Sequence, residues 1–316
     1  MSVVVLEPVA DEGLEALRRG GLEVVDATGR DDAFREKALA EAEALVVRSA
    51  TTVDAALLGR CPRLRAVARA GAGLDNVDLE ACTARGVAVV NTPGGNSVAA
   101  AELTLALLLG LARHVGHAHQ VVARGGWDRH RFTGVELAGR TLGVVGLGRI
   151  GALVAQRARG FEMRILGADP YLSPERAESM GIELRELDDL LAESDAVTLH
   201  LPLTEGTRGL MGVERLARMK RGALLVNCAR GGLVDEAALA EALEAGHLAG
   251  AAVDVYSTEP PPAGHPLVGR PDVLHTPHLG ASTFEAKENV SLDAAHMLVA
   301  LLREGDWSVA LNLPYG

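Results

Sequence analysis

The stretch Thr141–Gly151, TLGVVGLGRIG, joins a short apolar strand directly to a Gly-x-Gly-x-x-Gly turn made by Gly146, Gly148 and Gly151. Each glycine meets a separate need: a tight turn out of the strand, room for backbone to approach a pyrophosphate, and close packing of the following helix on the sheet. The free N–H groups at that helix N-terminus would then hold the pyrophosphate. Alone, the motif also fits a purely structural turn. A second apolar segment, Met163–Ala168, ends in Asp169, 18 residues beyond Gly151. A carboxylate there accepts hydrogen bonds from ribose hydroxyls and repels a 2′-phosphate. The two features together read as a dinucleotide-binding unit that favours NAD over NADP.

The alternation continues outward in both directions. From Val3 to Asn91 the apolar runs VVVL, LEVV, ALVV, LRAVA and VAVV are separated by segments of helical spacing, the pattern of a small parallel-sheet α/β domain. In the second half, strands are expected near 142–146, 163–168, 195–200, 223–227, 250–255 and 272–276, six parallel strands with helices between them. At 316 residues the chain exceeds the usual size of one core. The expected fold class is therefore α/β, with two doubly wound parallel-sheet domains. A flavodoxin-like substrate domain covers 1–96 plus 284–316, and a Rossmann NAD-binding domain covers 97–283. Between the two strand series, Val98 to about Arg124 predicts one long helix with Ser97 as N-cap and Gly125-Gly126 as its stop. Ser282-Thr283-Phe284-Glu285 has capping-box spacing and predicts a terminal helix running to about Arg303. The Asn91–Gly95 and Gly280 regions read as two chain crossings between the domains, and the cleft between them is the default substrate site.

Composition excludes several classes of function. A formal net charge of −11 argues against nucleic acid or an anionic membrane as the partner, while local arginines still suit a small anionic substrate. No apolar run is long enough to span a bilayer, and the N-terminal MSVVVLEPVADEG has neither the basic region nor the cleavage site of a signal peptide. A cytoplasmic address is expected. Cys61, Cys82 and Cys228 lack paired or metal-type spacing. His114, His117 and His119 cannot all share one helical face, so no metal site is expected and these histidines read as surface or subunit-contact residues.

Three polar residues follow three successive strands of the second half: Arg230 in NCARGG, Glu259 in DVYSTEPP and His278 in TPHLGAST. In an open parallel sheet ligands bind beyond the carboxyl ends of the strands, so all three side chains would face one crevice. Singly they have plain readings: an ion-paired arginine, a solvated glutamate, a strand-end histidine. Together they form the set that hydride transfer between a nicotinamide and a 2-hydroxy acid requires. Arginine grips a carboxylate and polarises the adjacent carbonyl, and histidine takes the hydroxyl proton. Glutamate orients the imidazole and favours its protonated form. His200, at the end of TLHLPLT, reads as a residue of the adenine pocket. Trp127 and the Arg129-His130-Arg131 cluster read either as a solvated basic turn or as an anion-binding or dimer-contact element.

With these motifs in place, and with RSAT (48–51), RAGAGLDNVDL (69–79), NTPGGNSVAAAE (91–102) and NCARGGLVDE (227–236) beside them, the chain resembles the D-isomer-specific 2-hydroxyacid dehydrogenase family along essentially its whole length. The resemblance implies that Arg230, Glu259 and His278 are the catalytic arginine, the supporting acid and the acid/base. The RAGAGLDNVD and GNSVAAAE versions lean towards NAD-dependent oxidation of 3-phospho-D-glycerate, the first step of serine biosynthesis. The alternatives are a hydroxypyruvate or glyoxylate reductase of the same family, and an NAD-sensing corepressor-like binding protein. Cofactor contacts are expected at Gly146, Gly148, Arg149, Ile150, Gly151, Asp169, His200, Pro202, Thr207, Cys228, Ala229, Asp254 and Gly280. Substrate contacts are expected at Arg48, Arg69, Ala72, Gly73, Asn96 and Arg129, with the Ala72–Gly73 amides turned to the carboxylate as an anion nest. The chain ends at Gly316, without the serine-binding domain of many such enzymes, so it resembles their short form and feedback inhibition by serine through such a domain is not expected. A homodimer is expected.

Overall fold

The computed structural model describes residues 1–313. The chain divides into two compact units, Met1–Ser97 together with the chain from Ala281 onward, and Val98–Gly280.

The first unit carries a parallel sheet of β1 (Ser2–Val5), β2 (Glu23–Asp26), β3 (Ala44–Val47), β4 (Ala66–Arg69) and β5 (Ala88–Asn91) in the order β2-β1-β3-β4-β5. That is the flavodoxin-like order. Runs such as VVV and ALVV are apolar without alternation because both faces of the sheet are covered. Val3 and Val5 pack with Leu14, Leu17 and the terminal helix residues Val290, Ala294 and Leu298. Val4 points the other way, towards Leu39, Leu45 and Leu58.

The second unit holds β6 (Thr141–Val145), β7 (Arg164–Ala168), β8 (Glu183–Leu184), β9 (Ala196–Leu199), β10 (Ala223–Asn227), β11 (Leu248–Val253) and β12 (Val273–His275), ordered β12-β11-β10-β9-β6-β7-β8 and paired in parallel. The order reverses between β6 and β9, the topological switch point at which doubly wound sheets bind ligands. Six of these strands match the expected positions. The seventh, β8, has only two residues, too few to leave a periodic signal.

Two helix expectations are corrected. The apolar stretch after Ser97 forms two helices, Ser97–Ala112 and Val115–Ala123, meeting at 67°. The break is at His114, whose φ of +56° is left-handed and cannot continue a helix. No single helix among the described residues is long and apolar enough to cross a membrane. Ser97 is the first helical residue, not the cap, and its hydroxyl donates back to the Pro93 carbonyl at 3.3 Å. The terminal helix is Phe284–Val299, and its cap is Thr283, whose Oγ1 accepts from the Ala286 amide at 3.0 Å. One turn of wider helix follows at Ala300–Glu304.

Candidate active site

At the switch point the three glycines of the opening motif differ as their separate needs require. Gly146 has φ of +89°, and a Cβ there would lie 2.6 Å from the His200 carbonyl oxygen. A Cβ on Gly151 would overlap the Gly146 carbonyl oxygen, whereas one on Gly148 would meet nothing within 4 Å. The turn is thus crowded where helix meets strand and open where a ligand approaches. Gly148 is the N-cap of the Arg149–Arg159 helix and no side chain caps it, which leaves the first amides, including those of Arg149 and Ile150, directed at the open side.

Asp169 follows β7 and is half-buried. Its Oδ2 accepts from the Leu147 amide at 2.7 Å and its Oδ1 from the Tyr171 amide at 2.9 Å. A carboxylate has about four acceptor positions, so two remain open, while one bond ties Asp169 to the glycine turn at Leu147 and the other closes its own turn at Tyr171. His200 follows β9, where Thr198 Oγ1 lies 3.0 Å from its Nε2. Burial pushes its imidazole pKa down to about 3, so the ring is neutral at pH 7. Thr207 uses its hydroxyl inside its own loop, donating to the Pro202 carbonyl at 2.7 Å and accepting from the Thr204 amide at 2.8 Å. Cys228 is deeply set, and burial pushes its thiol up to about 12, which leaves it an inert apolar neighbour.

Beyond β10 the chain turns sharply. Buried Asn227 shapes the turn: its Oδ1 accepts from the Ala229 amide at 3.1 Å and its Nδ2 donates to the Arg230 carbonyl at 2.9 Å. Arg230 is half-buried and its Nη1 donates to the Ala229 carbonyl at 2.7 Å. His278 and Glu259 meet directly, with Nδ1 and Oε2 2.7 Å apart and both side chains partly exposed. A carboxylate only accepts, so the proton sits on Nδ1 and Nε2 is left to face a reacting group. The other oxygen of Glu259 accepts from the Tyr256 amide at 3.1 Å. His278 has left-handed backbone, φ +54°, and its amide donates to the Asp254 carbonyl at 2.8 Å.

Asp254 is fully buried. Its Oδ1 accepts from Thr276 Oγ1 at 2.6 Å and the Leu279 amide at 2.7 Å, and its Oδ2 accepts from the Gly280 amide at 3.0 Å. Three of its roughly four acceptor positions thus hold the segment that carries His278.

In the first unit, Arg48 follows β3 and Arg69 ends β4. Glu7 holds the Arg48–Thr51 loop by accepting the amides of Arg48, Ala50 and Thr51 at 2.8 to 3.0 Å. These bonds keep its carboxyl below its ordinary pKa even though burial pushes the other way. Asn76 Nδ2 donates to the Arg48 and Thr51 carbonyls, both at 2.6 Å. Gly71 has φ of +146°, and a Cβ there would overlap the Arg69 guanidinium. Asn91 Nδ2 donates to the Ala72 carbonyl at 2.7 Å, and the Ala72 and Gly73 amides donate to no protein acceptor among the described residues. Asn96 Oδ1 is buried without a hydrogen-bond partner among the described residues. Arg129 is exposed, just before the short His130–Phe132 turn.

Sequence reasoning missed four residues that hold these loops in place: Glu7, Asn76, Asn91 and Asn227. For three of them a weak signal was present, since Asn91 and Asn227 end strands and Asn76 stands inside a motif already singled out.

A parallel sheet with its switch point at β6 and β9, an uncrowded glycine turn at Gly148 and a histidine–carboxylate pair beyond β11 and β12 define an NAD-linked dehydrogenase architecture. The chain belongs to the D-isomer specific 2-hydroxyacid dehydrogenases, whose NAD-binding domain matches residues 105–280. The cofactor of this domain is NAD, which the Gly148 opening and the spare acceptor positions of Asp169 fit. Over 316 residues it is 46% identical to D-3-phosphoglycerate dehydrogenase of Archaeoglobus fulgidus, with 99% of this chain and 60% of that protein covered. The chain therefore spans about 60% of the length of that relative. Among solved structures, a protein of Thermus thermophilus matches with a TM-score of 0.87 at 41% identity, covering 96% of this chain and 97% of that one. A glyoxylate reductase from Paecilomyes thermophila matches with a TM-score of 0.87 at 29% identity, covering 99% and 97%.

Proposed function

We propose that this protein oxidises 3-phospho-D-glycerate to 3-phosphohydroxypyruvate with NAD. The observation that carries the chemistry is the 2.7 Å contact between His278 Nδ1 and Glu259 Oε2, and the substrate follows from the name of the 46% identical relative. NAD, when bound, supplies the acceptor for the hydride that leaves the substrate C2. His278 Nε2 takes the C2 hydroxyl proton, so the alcohol becomes a ketone as C–H and O–H bonds break together with C=O formation. Glu259 holds the Nδ1–H, fixing the ring orientation and stabilising the imidazolium that results. Arg230 binds the carboxylate and polarises the C2 oxygen, assisted by the Ala72 and Gly73 amides. The Arg149 and Ile150 amides hold the pyrophosphate, and Asp169 the ribose diol. Arg48 and Arg69 take the phosphate end, with Arg129 and Asn96 as further substrate contacts.

We assign a homodimer to the same reading, supported by the Val115–Ala123 helix, which buries none of its residues and leaves Val115 and Val122 exposed, as is Trp127 beyond it. The likeness to a glyoxylate reductase favours a second reading, reduction of an unphosphorylated 2-oxo acid. Steady-state kinetics on 3-phospho-D-glycerate, glycerate and lactate in parallel separates the two. Arg48→Ala and Arg69→Ala should each raise KM for the phosphorylated substrate about tenfold or more, as expected from about 1.5–3 kcal/mol for a hydrogen bond to a charged group, with little change on glycerate. Equal losses on both substrates would make these arginines structural, and a wild-type preference for the unphosphorylated acid would favour the reductase.

A further inference from the structure

We propose that Glu236 is a positioning residue for the His278–Glu259 pair, an inference that rests on the function proposed above. The chain between the end of β11 at Val253 and the start of β12 at Val273 contains no helix or strand. Irregular connections of that length inside a compact unit are uncommon, and where they carry function something must hold them. Glu259 lies within this one, and its carboxylate must stay within hydrogen-bond reach of His278.

Glu236 supplies the hold. It opens the Glu236–Glu244 helix, whose cap Asp235 accepts the Ala237 and Ala238 amides at 3.1 and 3.0 Å, so its backbone is rigid. The Glu236 side chain is only 13% exposed. Its Oε1 accepts the Ser257 amide at 2.8 Å, and its Oε2 accepts the Ser257 hydroxyl and His265 Nε2, the latter at 3.0 Å. His265 in turn accepts the Leu267 amide on Nδ1 at 3.3 Å and packs edge-on against Tyr256. Two carboxylates therefore hold consecutive amides of the same turn: Glu259 takes Tyr256 N–H and Glu236 takes Ser257 N–H.

The Arg230 turn bears on the same peptide. A Cβ on Gly231 would overlap the Tyr256 carbonyl group and the Ser257 nitrogen, so the backbone following Arg230 presses directly on the peptide that Glu236 clamps. The positions of Arg230 and Glu259 thus share one mechanical reference, and Glu236 fixes it. Glu236 touches neither His278 nor any reacting atom; it acts through Glu259.

The test is a double-mutant cycle with kcat, hydrogen exchange and NAD affinity as readouts. Glu236→Ala should lower kcat about tenfold or more, because displacements of about 1 Å in a reacting geometry cost up to about a hundredfold, and should leave the Kd for NAD within about twofold. Amide exchange in the 254–260 segment should accelerate. Glu236→Gln, whose carbonyl still accepts the Ser257 amide, should restore part of the rate. The double variant Glu236→Ala/Glu259→Gln should be no slower than Glu259→Gln alone, since both changes remove one function. Multiplying losses, or unchanged exchange in Glu236→Ala, would overturn the proposal. Absence of turnover by the wild type on every 2-hydroxy acid would instead refute the proposed function, and the exchange result then decides the clamp by itself.

Discussion

Removing the Asp254 carboxylate should loosen the end of the NAD-binding unit that carries His278, with a graded cost that follows from its three hydrogen bonds. Oδ1 accepts two donors, Thr276 Oγ1 and the Leu279 amide, and Oδ2 accepts one, the Gly280 amide. In Asp254→Asn the amide oxygen can replace Oδ1 and keep two bonds, but the NH2 group then faces the Gly280 N–H, donor against donor. One charge-assisted bond is lost, worth about 1.5–3 kcal/mol. In Asp254→Ala all three donors lose their acceptor at a fully buried position. Partial relaxation keeps the sum below three full bonds, and a loss of about 3–5 kcal/mol is expected, as for other uncompensated buried groups. Thr276→Val removes a single donor and should cost about 1–2 kcal/mol. Urea denaturation at equal slope measures these differences, and kcat should fall in the same order because His278 N–H also rests on the Asp254 carbonyl. Loss of less than about 1 kcal/mol in Asp254→Ala, or equal effects of Asn and Ala, would refute the reasoning.

His278→Ala should lower turnover by about 10²–10⁴, the range for losing a positioned acid/base, while NAD titration shows cofactor binding intact; near-wild-type turnover would remove His278 from that role. Asp169→Asn keeps an acceptor for Leu147 N–H but removes the charge that repels a 2′-phosphate, so the ratio of kcat/KM for NAD over NADP should shrink. Asp169→Ala also releases Leu147 and should weaken both cofactors. A wild type that uses NADP as well as NAD would refute the assignment.

The strands were legible because a parallel sheet covered on both faces demands unbroken apolar runs, and VVVL, ALVV and TLGVV leave no other reading. The glycine turn was legible because backbone conformation and close approach act locally, and only glycine satisfies them at 146 and 151. Arg230, Glu259 and His278 stood out because the ends of parallel strands are where ligands bind, a rule that needs only strand positions. The helix break at His114 was hidden, since Arg113 and His114 are neither glycine nor proline and left-handed backbone there leaves no compositional mark. The capping box also misplaced its cap by one residue, from Thr283 to Ser282, because both side chains can cap and only the backbone path chooses.

What the sequence by itself determined is therefore the two sheets, their parallel character, the cofactor turn and the residue types of the chemistry, all set by periodicity and by short-range backbone demands. Only the tertiary structure decided which polar groups hold that chemistry in place. Glu7 reaches the Arg48 loop across 41 residues, Asp254 reaches Gly280 across 26, and Glu236 reaches Ser257 across 21. A carboxylate accepts whichever donor the fold brings within about 3 Å, and no spacing along the chain encodes that choice.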